Sequence, residues 1–181
     1  RLMKSSRRGT VDPFIVMDVM EAARQAEQSG RSIIHMEVGQ PGTPAPKAAR
    51  HALASQLKQG EAMGYTVALG LPELRQRIAD LYQTWYGLEL NPERVVITPG
   101  SSGAFILAFS SLFDTGARVG IGAPGYPSYR QILKSLDFVP VDLPTSDAAR
   151  LQPVAADFAT LDLQGLLVAS PANPSGTMLD R

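Results

Sequence analysis

The sequence contains no cysteine. That excludes a disulfide framework, a thiol nucleophile and a thiolate metal site. Histidine is scarce: His35 and His51 are the only two, too few for a histidine-based centre, so no metal is expected. Neither sign of charge is in excess. The 17 basic residues balance 17 acidic ones, which leaves no general positive field, and no nucleic-acid partner is expected. No apolar run approaches the roughly 20 residues that cross a bilayer, so no membrane partner is expected. The basic opening, residues 1–9, has no apolar segment behind it. A solvated arm is expected there rather than a secretory signal, and with it a cytoplasmic location.

What the sequence has in quantity is turn-forming residues. Its 16 Gly and 14 Pro cut the chain into short apolar-periodic segments. The pattern predicts helices over residues 12–28, 46–57, 72–85, 104–113 and 126–136, and a weak one near 153–160. It predicts short apolar strands at residues 33–38, 95–98, 117–121, 138–141 and 163–169. Strands alternating with helices imply an α/β fold around a mostly parallel sheet. Ligands of such sheets gather at the carboxyl ends of the strands. Three strands run straight into turns of Gly, Pro, Ser and Asn, and those turns are the candidate sites.

The first turn, residues 98–104, reads Thr-Pro-Gly-Ser-Ser-Gly-Ala and joins a strand to a helix N-terminus. Free N–H groups and a positive dipole end suit a phosphate there, with Ser101 and Ser102 as added donors. The plain alternative is a serine that caps the helix. No Lys-Ser/Thr follows, which excludes a nucleotide P-loop. Gly100-x-Ser102-x-Ala104 falls short of a hydrolase elbow, because both histidines precede the serine. The second turn, residues 120–125, matches G-x-G-x-x-G with Asp142 downstream. Gly120 would lie inside the strand, and Pro124 and Pro127 interrupt the turn, so a dinucleotide site is not expected. Tyr126 is placed either to cover a flat ring or to pack at the helix entry. The third turn, residues 170–177, holds two X-Pro bonds that invite a cis peptide. It also holds Asn173, whose amide both donates and accepts; an ordinary Asn-Pro turn is the alternative.

Five motifs stand in series. They are Gly39-Gln40-Pro41; Gly64-Tyr65 with Gly70-Leu71-Pro72-Glu73-Leu74-Arg75; Ile97-Thr98-Pro99-Gly100-Ser101-Ser102-Gly103-Ala104; Pro124-Gly125-Tyr126-Pro127-Ser128-Tyr129; and Ser170-Pro171-Ala172-Asn173-Pro174-Ser175-Gly176. In that order they resemble the N-terminal half of a class I/II aminotransferase, an aspartate-aminotransferase-like enzyme of the fold-type-I family that uses pyridoxal 5′-phosphate. The resemblance implies that Gly100, Ser101 and Ser102 hold the cofactor phosphate, Tyr126 stacks on the pyridine ring and Asn173 bonds the ring's phenolic oxygen. It implies that Tyr65 reaches the cofactor phosphate of a neighbouring subunit, hence a homodimer, and that Gly39 lies beside the substrate carboxylate. Leu74 and Arg75 read as structural.

The resemblance also implies a three-layer α/β/α large domain, incomplete here. Residues 1–45 would be an arm, helix and strand of the small domain and dimer contact, and residues 46–181 the first part of the cofactor-binding domain. The implied activity moves an amino group between an amino acid and a 2-oxo acid. Alternatives are another reaction on the same scaffold, such as a carbon–sulfur lyase or decarboxylating condensation, the effector domain of a transcription regulator, or an inactive chain. No catalytic residue is expected in these residues: the lysine that binds the cofactor, the acid that pairs with the ring nitrogen with its nearby tyrosine, and the arginines that bind phosphate and substrate belong to a later segment. Lys4, Lys47, Lys58 and Lys134 stand in no matching motif. A chain from Arg1 to Arg181 therefore has a fragment's length. Alone it would leave sheet edges unpaired and apolar faces uncovered, and is expected to be inactive.

Overall fold

A computed structural model of the chain describes residues 6–179. Its helices are α1 (Ile15–Gln28), α2 (Lys47–Gln59), α3 (Pro72–Tyr86), α4 (Gly100–Leu112), α5 (Pro127–Ser135) and the single turn α6 (Ala155–Phe158). Its strands are β1 (Arg118–Ala123), β2 (Val139–Pro144) and β3 (Gly165–Leu167), with 3₁₀ turns at Arg7–Gly9 and Pro92–Arg94. The helix ends follow the punctuation. α2 stops at Gly60 and α3 at Gly87, both left-handed with φ near +71° and +64°, and each glycine N–H bonds back into the last turn. Glycine adopts that conformation without the Cβ penalty. α3 opens on Pro72, where a missing N–H costs no helical bond. Among the described residues no helix is long and apolar enough to cross a membrane.

The chain forms two compact units: the described residues of Arg1–Asp18 with Pro99–Arg181, and Val19–Thr98. The expected division after residue 45 falls inside the second unit.

In the first unit β1 lies between β2 and β3, and both pairings are parallel, with Ile121 opposite Asp142 and Leu167. The core is built on this sheet from Phe109, Val119, Ile121, Ile132, Leu133 and Phe138, with Phe105, Phe113 and Leu136 packed against it. α4 contributes its phenylalanines in a run, with Phe105 on Phe109 and Phe109 on Phe113 at ring separations of 5.5 and 6.1 Å. Residues 6–10 are exposed, as expected of a solvated opening, and ion pairs anchor it. Arg7 pairs with Asp137 at 2.5 Å, and Lys134 of α5 pairs with Asp12, so residues 7–12 are tied to α5. Residues 1–5, Lys4 among them, lie outside the described residues.

The second unit holds α2, α3 and a buried arginine. Arg75 is only 5% exposed. Its Nε donates to the carbonyls of Pro92 and Val95 at 3.2 and 3.0 Å, and its Nη2 to Pro92 at 2.9 Å. The structural reading of Arg75 holds: the side chain staples α3 to the segment that leads into residue 98. The strands expected at residues 33–38 and 95–98 are irregular instead. A strand exists only as half of a ladder. Ile97 N donates to Leu69 O at 3.0 Å, but the ladders among the described residues join only β1, β2 and β3.

Candidate functional site

Because β1 and β3 are parallel neighbours, their carboxyl ends open onto the same edge of the sheet. From β1 the chain passes through a cis Ala123–Pro124 bond to Tyr126. The Ala123 carbonyl accepts from both the N–H and the hydroxyl of Thr145, at 3.3 and 2.7 Å, which fastens this turn to the end of β2. Tyr126 is half-buried and meets Tyr129 edge-on at 5.4 Å. Tyr129 meets Phe105 of α4 edge-on at 5.1 Å. Edge-to-face ring contacts of this kind fix ring orientation as well as burying area.

α4 is therefore linked to Tyr126 through the rings of Phe105, in its second turn, and Tyr129. Its N-cap is Pro99, without a side-chain cap, and no acidic residue stands in its first turn. Ser101 and Ser102 are inside the helix and exposed. This decides against the capping alternative. The first-turn N–H groups have no helical acceptor and sit at the positive end of a 13-residue helix. Gly100 has φ +70°, and nothing lies within 4 Å of where a Cβ would project. Glycine is required there by the backbone, and the space is open to a ligand.

From β3 the chain enters the Asn173 loop. The expected cis peptides are present at both Ser170–Pro171 and Asn173–Pro174. Ala172 N donates to Thr177 O at 2.9 Å and Gly176 N to Ala172 O at 2.7 Å, closing the loop around Asn173. A small cavity of about 30 Å³ lies between Gly122, Gly125, Tyr129, Gln152 and Asn173. It has room for about one or two waters. It places the Asn173 loop beside the turn that carries Tyr126.

The G-x-G-x-x-G match is explained by packing. A Cβ on Gly120 would meet Leu163, Leu166 and Leu143 at 2.9–3.2 Å, and one on Gly125 would meet the Gly122 carbonyl at 2.5 Å. These glycines admit the protein's own atoms rather than a pyrophosphate. Asp142 is paired with Arg130.

Gly100, Ser101, Ser102, Tyr126 and Asn173 thus belong to one unit. Gly39 and Tyr65 belong to the other, both exposed. Sequence reasoning missed two residues that shape this edge, Thr145 and the buried Gln152. Neither stands in a motif, and Gln152 sits in what reads as a polar connection.

The family described as Aminotransferase class I and II matches residues 31–181 of this chain. The chain belongs to that family. A valine–pyruvate aminotransferase of Mycobacterium tuberculosis is 46% identical over 174 residues, covering 95% of this chain and 45% of the relative. The crystal structure of an aminotransferase from the same organism has a TM-score of 0.90 at 45% identity, covering 98% of this chain and 46% of that one. A solved structure from Silicibacter pomeroyi is 68% identical with a TM-score of 0.86, covering 99% and 45%. The chain spans about half the length of the relatives it matches. Class I/II aminotransferases use pyridoxal phosphate, and the residues present suit it: a helix end ready for an anion, a half-buried tyrosine, and a carboxamide in a closed loop beside that tyrosine's turn.

Proposed function

We propose that the whole protein transfers an amino group between an amino acid and a 2-oxo acid with pyridoxal 5′-phosphate, as a cytoplasmic homodimer. The observation that carries this is the acid-free N-terminus of α4, where Ser101 and Ser102 are exposed, in a helix joined through Phe105 and Tyr129 to Tyr126, in a chain of the aminotransferase family. When bound, the cofactor supplies an electron sink for the charge that develops at the substrate Cα.

In this proposal the chain's own residues bind and orient. The N–H groups that follow Gly100 and the hydroxyls of Ser101 and Ser102 hold the phosphate dianion. Tyr126 covers one face of the ring and keeps water from it. Asn173 donates to the ring oxygen. Tyr65 reaches the phosphate in the partner subunit, and Gly39 leaves room for the substrate carboxylate. The name of the Mycobacterium tuberculosis relative makes valine and pyruvate the first pair to assay.

The test is turnover by the full-length protein loaded with cofactor. Formation of a 2-oxo acid in equal amount to the new amino acid is expected. Release of ammonia, sulfide or carbon dioxide instead would replace this reading with a lyase or decarboxylating one. Tyr126→Ala is expected to weaken cofactor retention by about 2- to 12-fold, from a ring contact of about 0.5–1.5 kcal/mol.

A further inference from the structure

Gln152 is 5% exposed, between the half-buried Leu151 and Pro153. Its Nε2 donates to three oxygens: Ala169 O at 3.2 Å, Thr177 O at 2.7 Å and Thr177 Oγ1 at 3.4 Å. Ala169 follows β3 and precedes the loop, and Thr177 closes it. The same Thr177 carbonyl also accepts the Ala172 N–H at 2.9 Å. One buried carboxamide therefore grips both stems of the loop that carries Asn173, and it lines the small cavity with Asn173 itself.

The backbone before Gln152 is held in an uncommon shape. Arg150 and Leu151 both have left-handed φ, 54° and 57°. Residues with a Cβ rarely adopt this, and such strain persists only where the surroundings over-determine it. Here Arg150 N bonds to Asp147 O, Leu151 N to Ser146 O and Gln152 N to Ala149 O, at 2.9, 2.9 and 3.0 Å. This turn delivers Gln152 inward.

We infer that Gln152 is a positioning residue: by clamping Ala169 O and Thr177 O it holds Asn173 at the cofactor's ring oxygen. This rests on the Asn173 assignment under the proposed function. A donor to the ring oxygen weakens that oxygen's hold on a proton. Losing the donor, or loosening the loop that presents it, raises the pH at which the bound cofactor's visible band titrates.

The experiment uses the full-length, cofactor-loaded protein and the variants Gln152→Met, Asn173→Ala and the pair together. Gln152→Met keeps length and volume and removes the donor. It is expected to raise the midpoint by about half to one pH unit, and Asn173→Ala by at least as much. The double variant should move no further than Asn173→Ala. Hydrogen exchange of residues 170–177 should quicken in Gln152→Met. If Gln152→Met fails to fold, Gln152→Glu, of the same shape and lacking the donor when ionised, decides by the same shift. A midpoint moved by Asn173→Ala but not by the Gln152 variant would make Gln152 a merely structural residue and overturn the inference alone. A midpoint that Asn173→Ala does not move would overturn the Asn173 assignment and the inference with it.

Discussion

Gly70→Ala is a test of how the Gly70-to-Arg75 motif works. Gly70 is buried with φ +97°, and a Cβ there would lie 2.5 Å from Ile97 Cβ, with Cγ1 also too close. Two costs add. Left-handed φ costs a residue with a Cβ about 1–2 kcal/mol. Forcing a methyl into occupied space costs about 1–3 kcal/mol. The sum is about 2–5 kcal/mol. Gly87→Ala separates the two: Gly87 is in the same unit with φ +64°, yet nothing lies within 4 Å of its Cβ position. It should show the backbone cost alone, about 1–2 kcal/mol. The assay is native-state hydrogen exchange of α3 and residues 92–98 in the full-length protein, read as a local opening free energy. Gly70→Ala should exceed Gly87→Ala by at least about 1 kcal/mol. Equal effects would mean that Ile97 yields freely and that Gly70 is not required by this contact.

Two further perturbations test the same unit. Arg75→Met removes the guanidinium donor from the Val95 carbonyl, while the Pro92 carbonyl keeps the Val95 N–H, at about 1–3 kcal/mol for the one group left without its donor. Arg75→Lys should recover little, since an ammonium lacks the fork; exchange over residues 92–98 checks both. His35 hydrogen-bonds Glu37 at 2.6 Å and Glu27 at 2.9 Å. These carboxylates, Glu37 first, raise its pKa from 6.5 to about 9. Because the folded value is raised, the stabilisation is full below pH 6.5 and is lost as pH rises through about 9. An NMR titration of the imidazole should show the high midpoint, and one near the unperturbed value would refute the pairing.

Much of this architecture was legible because proline and glycine mark helix ends for stereochemical reasons that tertiary contacts do not override. α2 and α3 end at Gly60 and Gly87 as expected, and α5 opens on Pro127. α4 was expected from residue 104 and starts at Gly100, because a left-handed glycine can enter the helix where most residues cannot. Strands were less legible. The segments around Val119, Val139 and Leu166 pair with one another, so apolar patterning and partner agree. Residues 33–38 and 95–98 have the same composition, but pairing is a property of a neighbour and not of the segment. Among the proposed site residues, Tyr126 and Asn173 follow β1 and β3, and Gly100, Ser101 and Ser102 open α4; local Gly, Pro, Ser and Asn patterns mark all of these places. Gln152 has no such mark. Its role comes from three oxygens that lie 17 and 25 residues away in the chain, a relation that no local pattern carries.

The central claim is that α4 presents its N-terminus to the cofactor phosphate. The direct measurement is a crystal structure of the full-length protein with pyridoxal 5′-phosphate bound. The phosphate oxygens should lie within about 2.7–3.2 Å of first-turn N–H groups and of the Ser101 and Ser102 hydroxyls, with Tyr126 over the ring. A phosphate bound away from the first turn of α4 would contradict the account.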